Sequence, residues 1–427
     1  MGIQRLHGPE QNGKRFQRDP AQKSRFVVPA AAFAIAIVWN DHGATTMTNY
    51  RVGLLGFGFI GKVHAYAYDV LRWFYNPPPA AGRIVRVLAG RPESTRAAAE
   101  MLGAEPAADY RQITEAADID IVHICTPNAL HAEALLSALA HHKHIYCDKP
   151  LTADWKQATA VAAALPAWRG IGQMTLHYRF YPAVMRLKQL ADAGALGEVL
   201  EFRAFYLHGG SADPSAPWRW KFSAAAGGGV LADLAVHAID LVEHLIGPLD
   251  AVMAEQQTVF PSRPVAAGSG ETRAVDAEDQ VMMLARSARG ARGVITAGKV
   301  ATGCEDELRI ELHGTVGALR YNSMDPHHCE YYDAAGGRAA ALESAGWTRL
   351  AAGRRFLPPA TGFPSPKAPI GWLEGHVAAL ANFLQAVEAG EPAEPGLHRG
   401  VELEQRIEAV RRSARRQAWV RIAEVKA

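Results

Sequence analysis

Runs of apolar residues alternate with helical stretches along the chain from Tyr50 onward. A short apolar run bounded by turn residues is typical of a strand buried on both faces of a parallel sheet. Such runs predict strands at residues 51–55, 84–89, 119–125 and 144–147. The intervals have helical composition and spacing at residues 62–73, 94–102 and 131–141. This βαβ rhythm predicts a doubly wound parallel sheet.

The pattern changes after about residue 176, where strand-like segments follow one another with little helix between them. These strands are predicted at residues 199–207, 251–259, 279–285, 293–299, 308–314 and 318–321. One strong helix is predicted at residues 230–245, and closing helices at 373–389 and 400–417. Residues 334–369 are rich in Gly, Ala and Pro and are expected to form loops. Together these segments predict a second, α+β domain with a large, mainly antiparallel sheet.

Residues 1–46 differ from the remainder and form a leader. Basic residues precede an apolar stretch, as in a signal peptide, although Pro29 interrupts the stretch and no small-x-small cleavage site follows. The alternative is a start codon assigned too early, because Met47 is a natural beginning for a chain whose first strand starts shortly afterwards. We favour the second alternative and predict domains at residues 47–175 and 176–427.

Composition indicates a globular protein with a large core, since 49% of the 427 residues are hydrophobic and 21% are charged. Lys and Arg number 45 against 43 Asp and Glu, so the whole chain has no charge excess that favours nucleic acid or a membrane as partner. The four cysteines are scattered without CxxC spacing, so neither a metal site nor a disulfide framework is predicted. These features favour a cytoplasmic location, or export if the leader is a genuine signal peptide.

A glycine-rich turn, Gly56-Phe57-Gly58-Phe59-Ile60-Gly61, follows the first predicted strand and opens the first predicted helix. Gly56 can make a tight turn, Gly58 lets backbone N–H groups approach a phosphate, and Gly61 allows the strand and the helix to pack closely. The free amides at the helix N-terminus, at Phe59 and Ile60, then face the anion. Glycines also end strands for structural reasons alone, but this position favours a dinucleotide pyrophosphate site.

The end of the second predicted strand bears on the choice of cofactor. A carboxylate there accepts hydrogen bonds from the ribose 2′-OH of NAD and repels the 2′-phosphate of NADP. This chain has Ala89-Gly90-Arg91-Pro92-Glu93, with no acid at the tip and with Arg91 able to pair with a 2′-phosphate. NADP is therefore favoured over NAD. The alternative is that Arg91 is a solvated loop residue that stacks on adenine and tolerates either cofactor.

Three further motifs carry a specific resemblance. The first two are Thr126-Pro127-Asn128-Ala129-Leu130-His131 and, after a helix, Lys143-His144-Ile145-Tyr146-Cys147-Asp148-Lys149-Pro150. The third is Gly227-Gly228-Gly229 followed by Asp233, His237 and Asp240. Together they resemble the signature of the glucose-fructose oxidoreductase, inositol dehydrogenase and MocA family, with Asp148 where the family usually has Glu. The resemblance begins at about Tyr50 and becomes diffuse beyond Tyr321.

The resemblance implies a Rossmann domain that binds NAD(P), followed by a domain that carries the substrate site. It implies that His237 is the general acid/base, a role suited to a pKa near neutrality. Asp233 would tune or orient this histidine, and Lys149 would polarise the substrate oxygen. On a helix, Asp233 and His237 would share one face, although taken alone such a pair is more often a surface ion pair. The bond between Lys149 and Pro150 would be cis.

Residues at the ends of the third and fourth predicted strands are expected to contact the cofactor. By the resemblance, these are Thr126, Pro127, Asn128, His131 and Asp148. Thr126 and Asn128 would contact the nicotinamide ribose, and His131 would sit beside the cofactor. The alternative for Asn128 is a core or helix-capping role.

Arg179, Trp218 and Arg219 are expected to line a substrate pocket. Aromatic faces and the fork-shaped donors of arginine suit a polyhydroxylated ring. The alternative is that these residues pack the domain junction.

We therefore predict an NAD(P)-dependent oxidoreductase that transfers hydride between the cofactor and a sugar, sugar derivative or cyclitol. Two alternatives are a glycoside-cleaving enzyme that uses tightly held NAD for transient oxidation, and a non-catalytic dinucleotide-binding regulator. Loss of Lys149 or His237 would have indicated the regulator, and both are present. By the resemblance, the C-terminal sheet is expected to mediate a homodimer or homotetramer.

Overall fold

The computed structural model describes residues 47–334, 346–352 and 371–426, together with residues 363, 365 and 368. The leader and most of the predicted loop segment 334–369 lie outside these residues. No helix among the described residues is long and apolar enough to cross a membrane.

The first sheet is parallel throughout. Its strands are β1 (Asn49–Leu55), β2 (Ala81–Leu88), β3 (Glu105–Pro106), β4 (Ile121–Ile124), β5 (His144–Cys147) and β6 (Gly172–Met174). Their order is β3-β2-β1-β4-β5-β6, so the predicted doubly wound sheet is confirmed. Sequence reasoning did not predict β3 and β6, because strands of two or three residues are too short to carry a periodic pattern.

Helices connect these strands and lead into the second half of the chain. They are α1 (Phe59–Phe74), α2 (Pro92–Leu102), α3 (Arg111–Thr114), α4 (His131–Ala140), α5 (Trp155–Ala164) and α6 (Pro182–Asp192). The centre of the sheet is β1, in which Val52, Leu54 and Leu55 are fully buried. Because β1 lies between β2 and β4, the strand order reverses here and a crevice opens at the carboxyl ends of β1 and β4.

The last two long helices, α8 (Trp372–Ala389) and α9 (Leu397–Arg416), return to the first sheet. Phe383 and Leu384 of α8 belong to the same buried cluster as Val52 and Leu54. Gln173 of β6 donates to the Ala379 carbonyl at 2.8 Å and accepts from Asn382 at 2.8 Å. The C-terminal helices therefore complete the core beneath the N-terminal sheet.

The second sheet is mainly antiparallel, as predicted. Its strands are β7 (Val199–Leu207), β8 (Leu249–Gln257), β11 (Gln280–Ser287), β12 (Arg292–Gly298), β13 (Glu307–Gly314), β14 (Gly317–Asn322), β15 (His328–Asp333), β16 (Trp347–Ala351) and β17 (Val420–Arg421). The strands β9 (Ser262–Pro264) and β10 (Thr272–Ala274) pair separately. In the described part of the chain the order is β16-β15-β14-β13-β7-β12-β11-β8-β17, and only β12 with β7 is parallel. The predicted domain boundary at residue 175 falls between β6 and β7.

Two predictions for the second half need correction. The loop prediction for residues 334–369 is wrong at β16, which pairs antiparallel with β15. Here the Gly, Ala and Pro content of the whole segment conceals a five-residue strand without an alternating pattern, in which Trp347 and Leu350 are half-buried. The predicted helix 230–245 is a π-helical turn at Leu231–Ala235 followed by α7 (Val236–Ile246). Single π turns inside α-helices occur frequently at functional sites.

Candidate active site

A cavity of about 770 Å³ opens where the carboxyl ends of β1, β2, β4 and β5 face the second sheet. From the first half it is lined by the glycine turn, Gly90 and the segments 125–128 and 148–150. From the second half it is lined by His177, Tyr206, His208, Trp220, Lys221, Gly227, Gly228, Gly229, Asp233, Leu234, His237, Asp306, Trp372 and His376. A volume of this size suits a small-molecule site.

The glycine turn has the geometry that its sequence predicts. Gly56 adopts φ +94°, and a Cβ there would lie 2.4 Å from the Cys125 carbonyl oxygen. A Cβ on Gly61 would lie 2.1 Å from the Gly56 carbonyl oxygen, so the turn and the helix pack as closely as predicted. A Cβ on Gly58 would meet no atom within 4 Å, because this position opens on the cavity. The structure thus has space beside the α1 N-terminus for an anion.

The segment after β4 lines the cavity as the resemblance implies. Thr126, Pro127 and Asn128 are all at its wall. The Asn128 side chain is buried and donates to the Gly227 carbonyl at 2.7 Å, so it also has the structural role that was left open. Gly227 is at φ +76°, and a Cβ there would lie 2.7 Å from the Asn128 Cβ. The glycine run is therefore needed for this close approach.

His131 and Asp148 differ in how they relate to the cavity. His131 is fully buried and lies behind the wall, with Nδ1 3.0 Å from the Pro150 carbonyl and Nε2 2.8 Å from the Thr126 carbonyl. Its ring therefore joins the two loops instead of lining the cavity. Asp148 does line the cavity, and burial raises its pKa above the usual range.

Lys149 and Asp233 form an ion pair across the cavity. The Lys149 Nζ donates to the Asp233 carbonyl at 2.6 Å and to Asp233 Oδ1 at 3.1 Å. The Lys149–Pro150 peptide bond is cis, as the resemblance implies. Since an ammonium group has three N–H donors, one remains available at the cavity.

The Asp233 carboxylate has two further lysine partners that the sequence analysis missed. Lys221 Nζ lies 3.0 Å from Oδ1, and Lys299 Nζ lies 3.3 Å from Oδ2. Burial opposes ionisation of Asp233, but Lys299, Lys149 and Lys221 outweigh it and hold its pKa well below the usual range. No hydrogen bond between Asp233 and His237 occurs among those of the described residues. Asp233 thus orients Lys149 directly, whereas the sequence analysis placed it on His237.

His237 lies in the first turn of α7 and lines the cavity. Its ring centroid is 5.2 Å from that of Tyr178 and 5.3 Å from that of His177. Burial lowers the pKa of His237 well below its usual value, and the charge of Lys149 lowers it further. The imidazole is therefore held neutral, which is the form that accepts a proton.

Two more histidines at the cavity wall were not predicted. The rings of His177 and His376 stack with centroids 4.0 Å apart, and both side chains are almost fully buried. The Nε2 atoms of both residues have no hydrogen-bond partner in the described part of the chain. They come from the segment after β6 and from α8, so no local motif links them in the sequence.

The predicted substrate residues lie outside the cavity lining. Arg179 Nε donates to Asp240 Oδ2 at 2.7 Å, in a buried network that includes Arg399. A buried guanidinium needs a carboxylate partner, and Asp240 provides it away from the cavity. Trp218 instead donates to the Ala274 carbonyl at 2.9 Å.

Arg219 also lies outside the cavity, with its guanidinium over the Phe222 ring at 5.5 Å. Trp220 and Lys221, the next residues along the chain, do line it. The cavity lining in this segment therefore begins one or two positions after the predicted residues. Arg91 is exposed beside Gly90 at the rim and pairs with Glu93 at 3.1 Å.

Two stretches of the chain match models of known protein families. Residues 50–168 match an oxidoreductase family with an NAD-binding Rossmann fold, and residues 184–320 match the GFO/IDH/MocA C-terminal domain.

Individual relatives extend this similarity over most of the chain. Levoglucosan dehydrogenase of Pseudarthrobacter phenanthrenivorans is 33% identical over 89% of this chain and 100% of its own length. Inositol 2-dehydrogenase of Rhizobium meliloti is 28% identical over 87% of this chain and 99% of its own. The scyllo-inositol 2-dehydrogenase (NADP(+)) of Bacillus subtilis is 27% identical over 50% of this chain and 56% of its own length. A solved levoglucosan dehydrogenase, in complex with NADH and L-sorbose, superposes with a TM-score of 0.83 at 33% identity, covering 88% of this chain and 99% of that one.

Replacement of Gly58 by Ala tests the glycine turn. The new methyl group meets no protein atom, so the melting temperature should not change. It occupies space that phosphate oxygens need, so we expect NADH to bind at least about tenfold more weakly. Fluorescence titration with NADH measures this effect. Gly270→Ala is the control, because its Cβ position is equally open but away from the cavity. Equal NADH affinity in the two variants would contradict the prediction.

Proposed function

Since the chain belongs to the GFO/IDH/MocA oxidoreductase family, whose N-terminal domain binds NAD, we propose that it transfers hydride between NAD(P) and a hydroxyl or carbonyl group of a sugar, sugar derivative or cyclitol. The observation that carries this proposal is the meeting of Lys149, Asp233 and His237 at one cavity that also includes the glycine turn. Hydride transfer from a carbinol needs a base, a cation beside the oxygen and a nicotinamide.

The residues of the first half fit a dinucleotide. The open position at Gly58 and the free amides of Phe59 and Ile60 suit the pyrophosphate. The Thr126 Oγ1 atom is buried and has no hydrogen-bond partner among the described residues, so it can bond to the cofactor ribose together with Asn128. When bound, the nicotinamide supplies the hydride donor or acceptor.

Lys149 stabilises the charge that develops on the substrate oxygen. Two of its three donors are occupied by Asp233, which fixes the ammonium in place, and the third can point to the oxygen. A cation held in place before reaction costs no reorganisation when the alkoxide forms. Asp233 is thus a positioning partner of Lys149.

His237 moves the proton of the reacting hydroxyl. In the direction of oxidation its neutral imidazole accepts this proton. Because the pKa of His237 is held low, the basic form persists at neutral pH. The presence of both His237 and Lys149 at the cavity argues against a non-catalytic regulator, and the dehydrogenase activities of the relatives favour net oxidoreduction over glycoside cleavage.

The substrate end of the cavity suits a polyhydroxylated ring. Trp220 and Trp372 offer aromatic faces, and Tyr206, His208 and Lys221 offer polar groups. Relatives named for levoglucosan and inositol act on molecules of this class. NADP is favoured over NAD because Arg91 is exposed next to Gly90 of the cavity lining and can exchange its surface partner Glu93 for a 2′-phosphate.

The proposal includes self-association through the solvent-facing side of the second sheet. On β11, Met282 and Leu284 are exposed, and β8 and β12 place Met253 and Val294 beside Leu284. Charged residues of both signs, such as those of the Arg203–Glu311 ion pair, flank this apolar centre. A patch with both features can pair with a second copy of itself about a twofold axis. The cytoplasmic location is also part of the proposal, and the four free cysteines support it.

Lys149→Ala and His237→Ala test the chemistry. Each variant should bind NADH but turn over polyols at least about a hundredfold more slowly, because a charge-stabilising or proton-transferring group is lost. Absorbance of reduced nicotinamide measures turnover. Lys156→Ala and His141→Ala are the controls, since both side chains are exposed and outside the cavity. Wild-type rates in both test variants would refute the assignment.

Arg91→Ala tests the cofactor preference. Loss of the guanidinium should weaken NADPH binding about tenfold and leave NADH binding nearly unchanged, because only NADPH carries the 2′-phosphate. Calorimetric titration measures both affinities, and Arg96→Ala, an exposed arginine on α2, is the control. If NADPH affinity does not change, the phosphate role is wrong.

Leu284→Asp tests the sheet face. A carboxylate in the apolar centre should dissociate the oligomer to monomers, because it would be buried without a partner in the interface. Size-exclusion chromatography with light scattering measures the mass. Met101→Asp is the control, as Met101 is an exposed apolar residue on α2. A wild-type protein that is already monomeric would exclude the interface.

A further inference from the structure

Asp306 brings a carboxylate to the cavity wall just before β13. Tyr206 donates to its Oδ1 at 2.7 Å and Tyr178 donates to its Oδ2 at 3.1 Å. The two hydroxyl groups also contact each other at 2.8 Å. Each tyrosine has one hydroxyl proton, so the two protons are shared among these three contacts, and the network holds the carboxylate in place.

The two tyrosines act as donors and remain so at high pH. Burial raises the pKa of both well above the usual value, and Asp306 adds to the shift. A carboxylate can accept about four hydrogen bonds, so the two tyrosines leave about half of its capacity open. Within the described residues Asp306 has no ion-pair partner, unlike Asp233.

The other carboxylates at the cavity cannot serve the same purpose. Asp233 is saturated by three lysines, and Asp148 is on the cofactor side next to Lys149. Among the described residues that line the cavity, Asp306 is thus the carboxylate that lies on the substrate side and can still accept hydrogen bonds. Such an acceptor can take hydrogen bonds from the hydroxyl groups of a ligand that enters the cavity.

The same tyrosines connect Asp306 with His237, the base of the proposed reaction. The ring centroids of Tyr178 and Tyr206 lie 5.2 Å and 6.0 Å from that of His237. The position of the carboxylate relative to the imidazole is therefore fixed by shared neighbours. A ring that bonds to Asp306 at one edge is held in a fixed orientation relative to His237, and this selects which hydroxyl reacts.

We propose that Asp306 is a specificity-determining residue, whose carboxylate accepts hydrogen bonds from two adjacent hydroxyl groups of the polyol other than the one that reacts at His237. The inference rests on the proposed function and names the part of the substrate that the cavity recognises. It assigns Asp306 to substrate orientation, with no part in proton or hydride transfer. A site built to bond to a hydroxyl group rejects an analogue that lacks it far more strongly than an apolar site does.

The test combines variants of the protein with variants of the substrate. Wild type, Asp306→Asn and Asp306→Glu are assayed with myo-inositol, levoglucosan and L-sorbose, and with the monodeoxy analogues of whichever reacts best. We expect one or two deoxy analogues to lose about a hundredfold in kcat/KM with wild type. With the parent polyol, kcat/KM of Asp306→Asn should be lower than that of wild type by a similar factor, mainly through a higher KM. With those same deoxy analogues, kcat/KM of Asp306→Asn should be only slightly lower than its value with the parent polyol. Asp306→Glu keeps the charge but displaces it, and should discriminate less than wild type.

Controls and a second readout separate recognition from support of the fold. Glu305→Gln removes the exposed acid next to Asp306 and should behave as wild type. Affinity for NADH should be equal in all variants, and calorimetry of polyol binding to the NADH-loaded protein should reproduce the pattern of KM. This binding measurement does not depend on turnover.

Three results would overturn the inference. If Asp306→Asn discriminates among the deoxy analogues as strongly as wild type, Asp306 only supports the two tyrosines. If an aminodeoxy analogue binds more tightly than its parent polyol, the carboxylate is a cation site. If wild type binds NADH but neither binds nor oxidises any polyol, the proposed function fails and the inference fails with it. This last result differs from the first two, in which wild type is active.

Discussion

The ion pair between Lys149 and Asp233 is the contact on which the active site depends, because it joins the two halves of the cavity. Lys149 follows a strand of the first sheet, and Asp233 lies in the π-helical turn that precedes α7. Lys221 and Lys299 add positive charge on the same carboxylate. A carboxylate that is mostly removed from water is stabilised by such partners. The ammonium group is thereby fixed at the place where, in the proposed reaction, an alkoxide develops.

The two halves of the cavity contribute different kinds of group. The first half offers mainly backbone, because Gly56, Gly58 and Gly61 remove side chains where a dinucleotide must approach. The second half offers side chains, among them His237 and Asp306, on a large sheet and the helix beside it. The backbone part suits a ligand shared by many enzymes, and the side-chain part suits a particular substrate.

Sequence reasoning predicted what depends on local pattern. Buried strands, the glycine turn and the Asp148-Lys149-Pro150 motif are contiguous, so their residues could be identified together. His376 and Asp306 come from distant segments, and only tertiary structure brings them to one cavity and places Lys299 beside Asp233. Arg179 and Trp218 lie outside the cavity lining for a related reason, because arginine and tryptophan serve packing as readily as binding, and residue type alone does not distinguish the two roles. The π-helical turn was not predicted because its residues are ordinary helix formers.

The return of α8 to the first sheet has a consequence for how the chain is made. On the ribosome the N-terminal segment emerges first, yet the buried cluster that contains Val52 and Leu54 also contains Phe383 and Leu384, which emerge near the end. The nascent first half therefore keeps an apolar surface open until translation is almost complete. Truncation before residue 371 would remove α8, and with it the contribution of Phe383 and Leu384 to this cluster. The nucleotide-binding half is contiguous as a motif, yet its buried cluster is complete only when the late helix is in place.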